Sequence, residues 1–189
     1  MTEITTLLRA AGAGDPVAAD RAFALLYADL QRLAHSRMRR SGDMTLLDTT
    51  ALVHESYLRF HGAGDLDFSD RHHFLAYASR VMHTVVVDLV RARQADRRGG
   101  DVVCVTLDTA IGDSATRHDD EILRVHEAMS DLAATDARLA SVVEMRYFGG
   151  LSVEEVAGVL GIAPRSVKRD WSLARMWLFE EIQKSTPQS

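Results

Sequence analysis

The sequence has little of several things that would define other classes of protein. It holds one cysteine, Cys104, in 189 residues, so no disulfide can close within it, and a lone thiol fits a reducing cytosol. It has 3 prolines and only 6% aromatic residues. Apolar stretches such as 84–87 are far shorter than the roughly 20 residues that cross a bilayer. The N-terminus carries Glu3 and lacks the basic-then-apolar order of a secretion signal. These absences predict a soluble, cytoplasmic chain with no membrane partner. HExxH, CxxC, GxxxxGK[ST] and GxGxxG are all missing, so metal, redox and nucleotide chemistry have no motif behind them. The adjacent His72 and His73 point apart on a helix, and Asp119, Asp120 and Glu121 read as the acidic start of a helix. The expectation is therefore no enzyme, no catalytic residue, no metal ligand and no cofactor.

What is present is an ordinary globular mixture, 47% hydrophobic and 26% charged, with a net charge of −5. Acidity of that size excludes a coating type of nucleic-acid binder but leaves room for a local basic patch. The patch is found in residues 151–178, LSVEEVAGVLGIAPRSVKRDWSLARMWL. Ser152 is a good N-cap with Glu155 at the capping-box position. Val153, Val156, Ala157 and Leu160 share one side of the first helix. Gly161 suits the left-handed residue that ends it, Ile162 plugs the turn, and Pro164 suits the first turn of the next helix. There Val167, Trp171, Ala174 and Leu178 recur at spacings of four, three and four. Arg165, Ser166, Lys168, Arg169 and Ser172 point elsewhere. A helix-turn-helix that packs one side on its own core and lays the other in a DNA major groove needs this division, because arginine and lysine donate to guanine edges or phosphates. A plain helical hairpin with solvated cations is the alternative.

The rest of the chain is also helical in period. The pattern predicts helices over 4–11, from Asp15 and Pro16 to about Arg40, over 48–61, and from Phe74 to about Arg98. Ser41-Gly42-Asp43 and the 62–73 segment are loops, and Ser69-Asp70 caps the fourth helix. Ala22, Leu25, Leu26, Leu30 and Leu33 are the expected buried side of the second helix; Val53, Tyr57 and Phe60 share a face of the third. Composition changes at Gly99-Gly100, and 99–120 reads as a flexible linker with a brief extended piece near 102–107. Helical pattern resumes at Glu121, with Ile122, Val125, Met129 and Leu132 on one face, and again over 138–148. The predicted architecture is all-α: a first domain over 1–98, a linker over 99–120, and a second domain over 121–189 that contains the helix-turn-helix. An extended linker of this length spans roughly 70 Å at ~3.3–3.6 Å per residue, against about 34–36 Å for one turn of DNA.

The fourth helix and the loop before it collect Arg71, His72, Phe74, Tyr77, Arg80, His83, Arg91 and Arg93. Basic residues beside aromatic ones suit single-stranded DNA, where a base stacked on a ring contributes about 1–3 kcal/mol. Core packing of Phe74, Tyr77, Val81 and Val85, with the arginines solvated at a helix end, is the opposing reading.

Taken together, LVHESYLRFH (52–61), FLAYASRVMHTVVVDLVRARQADRRGG (74–100) and VVEMRYFGGLSVEEVAGVLGIAPRSVKRDWSLARMWL (142–178) resemble the bacterial sigma factors of the extracytoplasmic-function branch, over most of the chain. The resemblance implies a first domain that grips core RNA polymerase through Asp48, Thr49, Thr50, Leu52, Val53, Glu55 and Arg59. It implies a 74–100 segment that melts and reads the −10 promoter element, a 62–73 loop that receives a flipped base, and a second domain that reads the −35 element. The partners it implies are core polymerase and promoter DNA. Where the family carries an acidic cluster ahead of Leu-Val, this chain has Asp48-Thr49-Thr50-Ala51. A phosphothreonine adds about −1.5 to −2 charges, so Thr50, and after it Thr49, is a candidate switch for a serine/threonine kinase. This resembles a subgroup of these factors associated with such kinases. A helix-turn-helix regulator acting without polymerase, a helical metal-dependent hydrolase and a sequestering adaptor are the competing readings.

Overall fold

The computed structural model of the chain describes residues 3–40, 48–62, 68–99 and 109–184. Every regular element among them is helical: α1 (Glu3–Gly12), α2 (Pro16–Arg40), α3 (Thr49–Gly62), α4 (Arg71–Gly99), α5 (Thr109–Thr135), α6 (Ala137–Val143), a π-helical turn (Glu144–Phe148), α7 (Val153–Leu160) and α8 (Pro164–Lys184). The expected extended piece near 102–107 and the 41–43 break lie outside the described residues.

The helices begin where short polar side chains can satisfy the free N–H groups of a first turn. The Asp15 carboxylate accepts from the backbone N–H of Val17 and Ala18 ahead of α2. Asp48 accepts from Ala51 N–H at 2.7 Å ahead of α3. Asp70 accepts from His72 and His73 N–H, which starts α4 at Arg71 and not at Phe74, so both histidines are helical. Asp136 does the same for α6. Two sequence expectations differ in the C-terminal half. Helix α5 starts at Thr109, well ahead of Glu121. The 138–148 helix divides into α6 and a π turn closed by Gly149 N–H on the Glu144 carbonyl at 2.8 Å.

Helices α1 to α4 enclose one apolar centre, built from Leu26, Leu30, Leu52, Val53, Met82 and Val86, with Ile122 and Leu123 of α5 packed against it. Leu25, expected inside, is 53% exposed, because the α2 stripe runs through Ala22, Leu26, Leu30 and Leu33. Helices α5 to α8 form a second pair of clusters around Leu132 and Ala174 and around Val142, Val156 and Val167. Ala76 of α4 packs on the latter. The two halves therefore meet along α4.

Candidate nucleic-acid interface

The α7–α8 unit is built by local chemistry. Ser152 Oγ accepts from Glu155 N–H at 3.1 Å while Glu155 Oε2 accepts from Ser152 N–H at 2.7 Å, a complete capping box. Gly161 ends α7 at φ +64°, a conformation with little penalty only for glycine. Ile162 N–H then returns to the Ala157 carbonyl at 3.1 Å. Val167 and Ala174 of α8 are buried and Trp171 is half-buried, as the spacing predicts. Arg165, Lys168, Arg169 and Ser172 are exposed, with Ser166 partly so. The N-terminal half of α8 thus presents a cationic face to solvent and an apolar face to its own core.

One residue on that buried side was missed. Asp170 is 0% exposed; its Oδ1 accepts a hydrogen bond from Arg169 at 3.0 Å, and its Oδ2 forms an ion pair with Arg138 of α6 at 2.9 Å. Both arginines keep half or more of their side chain in solvent. The carboxylate neutralises charge inside and fixes two cations beside the outer face of α8. The sequence signal was available: Asp170 sits three residues after Val167 and four before Ala174, on the apolar stripe.

The α4 region is less open than the sequence suggests. Phe74 is buried in an aromatic cluster, 5.6 Å from Phe60 and 5.3 Å from Phe68 between ring centres, and Tyr77 lies 5.7 Å from Phe60. Phe74 is thus packed among core rings and only 7% exposed. Arg71 is held by Asp29 at 2.7 Å. The Asp29 carboxyl titrates below its ordinary range: burial pushes it up, and hydrogen bonds from Arg71 and Arg32 outweigh that. His72 faces Glu155 of α7 at 3.3 Å. Arg93 and Arg97 converge on Asp119 of α5 at 2.6 and 2.8 Å. Arg80 and Arg91 are exposed.

His83 takes part in a buried network that sequence reasoning did not find. Arg37 of α2 donates to Glu144 Oε1 at 3.0 Å and to the Ser79 carbonyl at 3.1 Å. Ser79 Oγ donates to Glu144 Oε1 at 3.0 Å, and His83 Nδ1 lies 2.9 Å from Glu144 Oε2. Phe148 lies beneath the Arg37 guanidinium, 4.0 Å from its carbon. Burial alone would raise the Glu144 pKa, yet the His83 hydrogen bond and the Arg37 charge hold it below its ordinary 4.5. Its signal too was legible as pattern: Arg37 falls four residues after Leu33 on the buried α2 stripe, and Glu144 interrupts an apolar run.

On α3, Asp48 and Thr50 are exposed, Thr49, Glu55 and Arg59 are half-buried, and Arg59 pairs with Asp88 of α4 at 2.9 Å. Leu52 and Val53 are wholly buried in the first core. They anchor the helix and offer no surface to a partner.

This exposed cationic helix on a capped helical unit, in a chain whose described regular elements are all helical, agrees with the comparison to known families. The ECF sigma factor family matches residues 1–184. The chain belongs to that family. It is also 31% identical over 134 residues to the RNA polymerase sigma-E factor of Streptomyces avermitilis, a match covering 71% of this chain and 68% of the relative. An ECF sigma factor is a transcription initiation factor and not an enzyme, and membership carries binding to core RNA polymerase and promoter DNA. Among the described residues no helix is long and apolar enough to cross a membrane.

Proposed function

We propose that this ECF sigma factor reads its promoter with two helical units, 1–98 at the −10 element and 121–189 at the −35 element, connected through 99–120. In this reading α7 and α8 are a helix-turn-helix, and Arg165, Ser166, Lys168, Arg169 and Ser172 meet the −35 duplex. The observation that carries it is the division of α8, where Val167, Asp170 and Ala174 face inward while Arg165, Lys168 and Arg169 face out. On α4, Arg80 and Arg91 are the exposed cations for −10 phosphates. His72, Tyr77, His83, Arg71 and Arg93 contribute once their internal partners let go.

Helix α3 is the polymerase-facing element, through Asp48, Thr50, Glu55 and Arg59. Its first turn carries no acidic residue, and its cap is Asp48, which leaves Thr50 free of a capping role at the second helical position. Thr50 is exposed there. A phosphate on Thr50 would add negative charge at a helix N-terminus, where the dipole favours it. Each charge-assisted hydrogen bond it gained on a basic clamp would contribute about 1.5–3 kcal/mol. A serine/threonine kinase is the proposed writer of this switch, with Thr49 the lesser acceptor.

The test is in vitro transcription and affinity for core polymerase with the unmodified chain, Thr50→Ala and Thr50→Glu. The reading expects tenfold or greater tightening for Thr50→Glu and weak activity for the other two. Full core binding and transcription by the unmodified and alanine chains would remove the switch. A chain that shifts promoter DNA alone and never supports initiation would remove the two-element reading.

A further inference from the structure

Asp170 lies on the apolar stripe of α8 with no exposed surface, yet each of its oxygens holds one arginine. Arg169 donates to Oδ1 through Nε at 3.2 Å and through a terminal nitrogen at 3.0 Å. Arg138 of α6 pairs with Oδ2 through Nε at 2.9 Å. The Arg138 and Arg169 side chains are 50% and 63% exposed. A guanidinium has five N–H donors in a fixed fork. Holding Arg138 by Nε therefore leaves its terminal nitrogens for an acceptor outside the protein.

We propose that Asp170 is a positioning residue for promoter binding, and that Arg138, outside the helix-turn-helix, is a phosphate contact that Asp170 sets beside Arg169. The proposal rests on the reading of α7 and α8 as the unit that meets the −35 duplex.

Stability alone does not call for a carboxylate at this position. Val167 and Ala174 on either side of it are apolar and buried, so leucine would continue the stripe. A buried charge loses its hydration, and an apolar residue of similar size is often as stable or more so. Nor does the local helix call for Arg138. It is the second residue of α6, behind the Asp136 cap, at the end where the helix dipole disfavours a cation. Asp136 accepts from backbone N–H groups there, so the printed partner of the Arg138 guanidinium is Asp170 of another helix. The arrangement is also one-sided. The single acid is inside and two cations are outside, so the surface carries a net positive pair. Phosphate binding ordinarily has to immobilise long side chains; here folding has already done so for two of them.

The sign of one substitution separates positioning from plain charge. Removing an acid near a DNA-binding face strengthens attraction to phosphate by Coulomb's law. Removing a positioning acid releases both arginines and weakens binding. The assay is the full chain assembled with core polymerase, titrated across salt concentrations with a promoter duplex that the parent holoenzyme selects from a random pool. Asp170→Asn should bind about fivefold or more weakly, the order expected from immobilising one or two long side chains. Asp170→Leu should bind as weakly and yet melt no lower than the parent, a split that a merely structural role would not give. Arg138→Gln should weaken binding and make the plot of log affinity against log salt shallower by about 1, the slope of one phosphate contact. The loss from Asp170→Asn should shrink when Arg138 is already Gln, because the two act through one contact.

Binding by Asp170→Asn or Asp170→Leu that equals or exceeds the parent's overturns the positioning role. If neither folds, Arg138→Gln at its half-exposed site still decides, and an unchanged affinity and salt slope there overturn the proposal. Scrambling the upstream half of the selected duplex tests the underlying reading. A parent holoenzyme indifferent to scrambling removes that reading and the proposal with it; a parent that responds, beside variants that match it, removes the proposal alone.

Discussion

Two glycines nine residues apart, Gly149 and Gly158, should respond in opposite ways to the same added methyl group. Gly149 follows the π turn. A Cβ there would lie 2.6 Å from the Met145 carbonyl oxygen and 3.0 Å from Leu151 Cδ1. That carbonyl already accepts Leu151 N–H at 3.0 Å. The nearer obstacle is backbone, so relief requires the turn to shift, and with it the bond that leads the chain into α7. Overpacking of this kind costs about 1–3 kcal/mol. Gly158 lies inside α7 on its exposed side, with nothing within 4 Å of the site of a Cβ. Alanine there removes unfolded-state freedom and gains about 0.5–1 kcal/mol. Gly149→Ala and Gly158→Ala should thus differ by about 1.5–4 kcal/mol. In a chain of this length each 1 kcal/mol moves the melting temperature by about 2–4 °C. Urea unfolding of both variants, with the slope checked for constancy, is the assay. Equal shifts of one sign would refute the reasoning, because the two sites would then differ in nothing but position.

Ser152→Ala should lower stability by about 1 kcal/mol through loss of the Glu155 N–H acceptor, and Ser152→Asp should restore most of it; thermal melts followed by circular dichroism check both. Acid should weaken the packing of the two halves before it unfolds the helices. Glu144, faced by Arg37, Ser79 and His83, has a folded pKa below 4.5, so its contribution is present above that value and is lost as pH falls through the depressed one. His126 of α5, beside His83, is held below its ordinary 6.5 by burial and then by the His83 and Arg91 charges, so it loses stability in the same direction, beginning as pH falls below 6.5. Hydrogen exchange at α4 and the π turn between neutral pH and pH ~4, with the window set by ordinary His and Glu values, should show opening on acidification; protection that rose would contradict the sign.

What the sequence made legible is what local chemistry decides. Ser152, Glu155, Gly161 and Pro164 each act within a few residues of themselves, and the α7–α8 unit has the boundaries they imply. Asp15 and Pro16 place the start of α2 for the same reason. The misjudged segments are those whose partners lie far along the chain. Residues 109–120 have no apolar period and read as linker, yet they are helical, with Asp119 buried against Arg93 and Arg97 of α4. An ion pair in a segment that has no apolar stripe leaves no periodic trace in a hydropathy pattern. His72 and His73 resemble loop residues until Asp70 is seen to cap them. Leu52 and Val53 were assigned to polymerase by resemblance and Phe74 to single-stranded DNA by its basic neighbours; all three are buried in the first core. Arg37, Glu144 and Asp170 did leave a trace, as charges on apolar stripes. That pattern marks a buried ion pair, because an unpaired charge at such a position would not be tolerated.

The same accounting resolves an apparent conflict between a net charge of −5 and binding to a polyanion. Four of the 27 acidic residues lie against basic side chains of α4: Asp29 on Arg71, Glu155 on His72, Glu144 on His83, and Asp119 on Arg93 and Arg97. Those acids come from α2, α7, the π turn and α5, so they act as internal counter-ions in place of phosphate. Arg165 and Lys168 at the start of α8 are outward-facing and exposed. The two cationic faces therefore need not respond alike to salt. Screening weakens an exposed arginine's attraction to DNA directly. On α4 it also weakens the half-exposed pairs that compete with DNA, while the buried Glu144 contact is screened least. On the two-element reading proposed above, salt should then reduce −35 affinity with a steeper slope than −10 affinity.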